Sequence, residues 1–173
     1  MNLLVRLRSH VRLALLIGGV FCQSATAVSG AEVFYENPVI PGDHPDPSII
    51  RVGKDYWATT TSSEWGPQFP LLHSTDLVNW EQVGDVFSHR PEWADRNFWA
   101  PEISQYKGRF YIYYVGHQKG GRLAVAVAMA GKPGGPYTDH GPIVSQEHGS
   151  IDPVPCLDEH GKLYLVWKDD NNS

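Results

Sequence analysis

After about residue 30 the hydrophobic pattern never holds a 3.6-residue period over a useful length, so no helix is predicted there. Short apolar runs rich in β-branched and aromatic residues stand out instead: YWATTT, FYIYYVG and LYLVW. Such runs favour strands, and the Gly, Pro, Asp and Asn between them favour turns. Three stretches share one plan. DPSIIRVGKDYWATT starts at Asp46, APEISQYKGRFYIYY at Ala100, and DPVPCLDEHGKLYLVW at Asp152. Each opens with a residue before proline, reaches a glycine, and continues as Gly-(Lys/Arg)-x-Tyr into a strand. The prolines are Pro47, Pro101 and Pro153, and the glycines Gly53, Gly108 and Gly161.

Each stretch is predicted to be a β-hairpin with its turn at the Gly-(Lys/Arg) pair. Two more strands follow in the first unit, PLLHST and WEQVG, joined by TDLVN. Two follow in the second, RLAVAVAMA and PYTDHGPIV, joined by GKPGG. Four antiparallel strands repeating about every 50 residues is the pattern of a β-propeller blade. A β-sandwich has no reason to repeat the Pro…Gly-(Lys/Arg)-x-Tyr plan three times. The prediction is an all-β propeller represented by about two and a half blades. An open ring would leave strand edges bare, so the sequence reads as the front piece of a longer protein.

The beginning of the chain has a different character. Arg6, Arg8 and Arg12 precede the apolar run LALLIGGVFC, and Ala25 and Ala27 supply small residues. That is the layout of a cleaved secretory signal over residues 1–27, which leaves 28–173 as a partial propeller domain, secreted or periplasmic. Without those three arginines the chain has 11 basic and 19 acidic residues, a net charge of −8. Such a balance argues against a nucleic-acid partner, and no membrane association is expected after cleavage. Only Cys156 then remains, so no internal disulfide can form. All six tryptophans lie beyond the leader, a composition suited to stacking on the C–H faces of sugars.

In a propeller the first strand of each blade lies against the central axis. Asp46 and Asp152, at equivalent repeat positions, should therefore converge there, with Glu102 nearby in the second unit. Converging carboxylates suit acid–base work on a glycosidic bond. The segments HPDPSII, HSTDLVNWEQVG, NFWAPEISQYKGRFYIYY, GPYTD, SIDPVP and LYLVWKDD, in this order and spacing, resemble the amino-terminal half of a family 43 glycoside hydrolase. The resemblance implies a five-bladed propeller that hydrolyses arabinose- or xylose-containing plant polysaccharides with inversion. It implies Asp46 as general base and Asp152 as the residue that tunes and orients the general acid. The acid itself would be a Glu on a later blade, so the 28–173 piece alone is expected to be inactive.

The predicted partner is an oligo- or polysaccharide. Trp99, Phe69 and Trp65 are candidates for the sugar platform, and His44 for the pocket rim. Trp57, Trp80 and Trp167 are assigned to the core. Glu102 is expected to make a structural hydrogen bond within its blade, and His117 is left open between loop and site. No cofactor and no metal are expected, because the prolines around Asp43, His44 and Asp46 splay those side chains. A non-catalytic carbohydrate-binding propeller is the alternative. A retaining fructan-cleaving propeller is disfavoured because His44-Pro45-Asp46-Pro47 lacks the Asn-Asp-Pro start that such enzymes carry.

Overall fold

The computed structural model describes residues 34–62 and 64–171. The predicted leader, 1–27, lies outside them. The described residues form ten strands: β1 (Ser48–Val52), β2 (Asp55–Thr59), β3 (Gln68–Ser74), β4 (Glu81–Phe87), β5 (Ala94–Tyr106), β6 (Arg109–Gln118), β7 (Leu123–Ala130), β8 (Thr138–Val144), β9 (Ser150–Leu157) and β10 (Leu163–Asp169). They build two four-stranded antiparallel meanders, β1-β2-β3-β4 and β5-β6-β7-β8, and the hairpin β9-β10. These are consecutive propeller blades, here called blades one, two and three, and the fold class is that of a partial five-bladed β-propeller.

The first hairpin turns at the predicted Gly53-Lys54 pair, whereas the second turns one residue earlier than predicted, with Arg109 already in β6. Lys107 and Gly108 link β5 to β6 with φ of 47° and 75°. Two positive values in a two-residue loop match the right-handed twist of the flanking strands. Register then follows the pleat: Ile103 faces Ile112 and Ser104 faces Tyr111.

The core lies between blades one and two. Phe69 and Leu71 from β3 and Val86 and Phe87 from β4 join Phe98 and Ile103 from β5 and Phe110, Ile112 and Tyr114 from β6. β7 reads LAVAVAMA, and its alternate residues Ala124, Ala126, Ala128 and Ala130 are all buried. With a side-chain period of two, these alanines share one face. Ala126, Ala128 and Ala130 belong to the same core cluster as Phe69 and Phe87, so small side chains on one sheet make room for large ones on the next.

A second close fit anchors the outer part of blade two. A Cβ on Gly116 of β6 would come within 2.6 Å of the Trp93 ring, so only glycine lets that ring lie on the strand. Trp93 Nε1 donates to Asp139 Oδ2, and the Tyr114 hydroxyl donates to Asp139 Oδ1. Burial, reinforced by the Asp139 carboxylate, pushes the Tyr114 phenol well above its ordinary range, so it remains a donor at any ordinary pH.

Candidate active site

The three repeat openings share a backbone peculiarity. Asp46, Ala100 and Asp152 all have positive φ, at 50°, 43° and 53°. Each precedes a proline, which disfavours the right-handed helical region for the residue before it. A left-handed residue bends the chain sharply, just ahead of β1 at Asp46 and within β5 and β9 at Ala100 and Asp152. For a non-glycine residue this costs on the order of 1–2 kcal/mol, least for Asp and Asn, whose short polar side chains tolerate it. The three bends meet at one hollow of about 230 Å³, lined by Asp46–Pro47, Ala100–Glu102 and Asp152–Val154. Size does not distinguish it, since a hollow beside His73 is also about 230 Å³ and one at Ser88 is about 270 Å³. It differs in bringing together carboxylates from three successive blades.

Asp46 and Asp152 are exposed, whereas Glu102 is half-buried. Burial pushes the Glu102 carboxyl up, opposed by a hydrogen bond from the Ser48 hydroxyl. Ser48 belongs to β1, so this bond crosses from blade one to blade two instead of staying within Glu102's own blade. The Ser48 Oγ also accepts the Ile103 N–H at 3.1 Å. Thr61 makes a similar crossing. Its Oγ1 accepts the Ala100 N–H at 2.8 Å and donates to Asp46 Oδ2 at 2.7 Å.

The predicted sugar-facing residues divide. Trp65 is 76% exposed and faces a neighbouring hollow of about 210 Å³, shared with His44, Asp43 and Thr61. The His44 ring sits 3.5 Å from the Thr60 hydroxyl. Trp99 is half-buried and lies within β5, opposite Val115. Phe69 needs correcting: it is 0% exposed and packs against Phe87, Phe98 and Tyr114 at centroid distances of 5.3–6.2 Å. It is a core residue and presents no face to a ligand. Trp167, on the last described strand β10, donates its indole N–H to Gln146 Oε1. Trp57 is partly buried against the core as expected, and Trp80 is half-buried with its indole on the Leu77 carbonyl.

His117 lies on β6, beside Asp95 and Arg96 of β5. Arg96 Nη2 lies 2.8 Å from Nε2, and Asp95 Oδ1 lies 2.8 Å from Nδ1. A guanidinium can only donate. Nε2 is therefore the acceptor, and a neutral ring donates from Nδ1 to Asp95. At the boundary between blades one and two, Asn97 donates its N–H to the Glu64 carboxylate, and Arg90 donates to the Glu64 carbonyl. Sequence reasoning missed Ser48, Thr61 and the Glu64–Asn97 contact. The one hint, for Thr61 alone, was the run of hydroxyl residues after YWAT, which by itself names no partner. Among the described residues no cluster of three or more His, Cys, Asp or Glu side chains has the arrangement of a metal site.

The family profile for glycosyl hydrolases family 43 matches residues 35–173. The chain belongs to that family. It is 32% identical over 176 residues to the non-reducing end α-L-arabinofuranosidase BoGH43B of Bacteroides ovatus, covering 96% of this chain and 32% of the relative. It is 34% identical over 139 residues to a xylosidase/arabinosidase of Butyrivibrio fibrisolvens, covering 78% of this chain and 26% of the relative. Among solved structures it resembles the GH43 protein BlXynB of Bacillus licheniformis, with TM-score 0.67 and 33% identity over 78% of this chain and 29% of that one. This family member thus spans between a quarter and a third of the length of these curated relatives.

Proposed function

We propose that the polypeptide carrying this sequence hydrolyses O-glycosidic bonds in arabinose- or xylose-containing plant polysaccharides, with inversion at the anomeric carbon. Asp46 is the general base. Its carboxylate takes a proton from a water below the sugar ring as that water attacks the anomeric carbon. The leaving oxygen takes its proton from a general acid, a glutamic acid on a later blade. Asp152 raises the acid's pKa by like-charge repulsion and orients it. In an inverting pair the base and acid stand roughly 6.5–9.5 Å apart, leaving room for the water. Trp65, Trp99 and His44 are the candidates to hold the sugar, and the enzyme works outside the cytoplasm after loss of residues 1–27.

The observation that supports this reading is the shared hollow, with Asp46 and Asp152 both on its wall and both on left-handed bends. The printed activities of the two relatives, arabinofuranosidase and xylosidase/arabinosidase, point to the sugars. The test is an assay of the full-length gene product on 4-nitrophenyl α-L-arabinofuranoside and β-D-xyloside, with the first-formed anomer followed by NMR. The expected result is release of sugar with the anomeric configuration inverted. Retention of configuration would overturn the base assignment. Sugar binding without any release would point to the carbohydrate-binding alternative.

A further inference from the structure

We propose that Thr61 is a positioning residue for the general base: it clamps Asp46 to the backbone of blade two and selects Oδ1 as the oxygen that accepts the proton. This inference rests on the reading of Asp46 as base. Thr61 is buried at 4% exposure, just beyond the end of β2, so little solvent competes for its groups. Three hydrogen bonds run through it. Its N–H donates to the Pro45 carbonyl at 2.9 Å, gripping the chain immediately before Asp46. Its Oγ1 accepts the Ala100 N–H at 2.8 Å and lies 2.7 Å from Asp46 Oδ2.

The direction of the last bond follows from the inventory of a hydroxyl. Oγ1 has one hydrogen, and an amide N–H can only donate to it. The hydroxyl hydrogen is therefore available for Asp46, and an ionised carboxylate can only accept. The 2.7 Å separation lies within the range of charge-assisted O–H···O⁻ bonds, about 2.5–2.7 Å. With Oδ2 held in this way, Oδ1 remains to meet the water. Ala100 explains why the clamp starts where it does. It occupies the position of Asp46 and Asp152 in its own repeat and shares their bend. It brings no carboxylate to the hollow, and its amide instead sets the orientation of its neighbour's carboxylate.

The test uses the full-length gene product and the same 4-nitrophenyl glycosides. Thr61→Val keeps the shape and removes the hydroxyl. The expected result is a fall in kcat of about ten- to a hundredfold, the scale of one hydrogen bond to a charged group, with KM changed by less than about threefold. Thr61→Ser, which keeps the hydroxyl, restores most of kcat. In the Asp46→Asn background, Thr61→Val causes little further loss, because the two act as one unit. Wild-type kcat in Thr61→Val, or equal damage from the serine variant, overturns the proposal. So does a melting temperature that falls while kcat holds. If the valine variant does not fold, Thr61→Cys, a weak donor of similar size, takes its place with the same expected direction. If Asp46→Asn itself retains turnover, the base reading has failed and the clamp fails with it. If Asp46→Asn is inactive and Thr61→Val is normal, only the clamp fails.

Discussion

Asp46 in blade one and Ala100 in blade two occupy the same place in their repeats, and both precede a proline. Their φ values are 50° and 43°. One presents a carboxylate to the hub hollow, the other a methyl group. If the left-handed bend existed only to aim a catalytic side chain, blade two would have no use for it. Alanine also lacks the short polar side chain that eases this conformation in Asp. The bend is therefore architectural, a feature that the three described repeat openings share. Chemistry is added by the residue that stands on it. Equivalence within a repeat thus predicts where a side chain will be, and not what it will do.

The comparison can be broken most directly at Asp46. Asp46→Asn in the full-length gene product is expected to lower turnover by about 10²–10⁴-fold, the usual worth of a general base, while sugar binding measured by calorimetry persists. Near-normal release of arabinose or xylose would remove the distinction between the two positions. The next effect concerns packing. Phe69→Ala should destabilise the fold by about 3–5 kcal/mol in urea unfolding, because this side chain fills the space between blades one and two. If it were a sugar platform, the same change would instead raise KM and leave stability alone.

A smaller effect sharpens the comparison. Ala100→Gly relieves the left-handed strain and should stabilise by about 0.5–1 kcal/mol after the entropy cost of glycine, with activity kept. Asp46→Gly relieves similar strain but removes the proposed base, so stability and turnover are expected to part company at one position and not at the other.

The outer strands give a further contrast. His73 on β3 bonds to Asp55 and approaches Glu81, and these partners, Asp55 foremost, raise its pKa above 6.5 in spite of some burial. The pH dependence then has a definite sign. A raised folded-state pKa favours the protonated fold, so the stabilisation is complete below the ordinary histidine value and is lost as pH rises through the higher folded value. The stability gap between wild type and His73→Gln should therefore shrink from about pH 5 to about pH 9. It should stay below about 1 kcal/mol, because the carboxylate partners are well exposed. β7, the corresponding strand of blade two, has no titratable side chain and should show no such dependence. The smallest effect belongs to Thr59, whose buried hydroxyl has no partner among the described residues. Thr59→Val should change stability by no more than about 0.5 kcal/mol in either direction, or increase it slightly.

The blades were legible because period-two burial and Gly-(Lys/Arg) turns are local signals. All ten strands fall on the segments that the repeat predicted, and the hub hollow collects the residues that open each unit. β5 was only partly legible. Its early residues, ADRNFW, lie ahead of the repeat plan that opens at Ala100, yet they pair with β6 through a series of bulges. Phe69 was misread because it follows Gly66-Pro67, the composition of an exposed turn, and only the opposing sheet reveals that it is enclosed. Thr61 and Ser48 were invisible for a similar reason. Their partners lie 39 and 55 residues away, and a single hydroxyl has no periodicity to betray it.

The alanine stripe of β7 acts as a shim. Sheets stand apart by the thickness of the side chains between them, so these methyl groups set how far the first meander is splayed from the second. Asp46 hangs at the narrow end of that fan and shares the hub hollow with Asp152 of the third blade. One extra methyl in the stripe would open the wedge and shift the two carboxylates relative to each other without touching either. The spacing of two hub carboxylates is gauged, at a distance, by some of the smallest side chains in the protein.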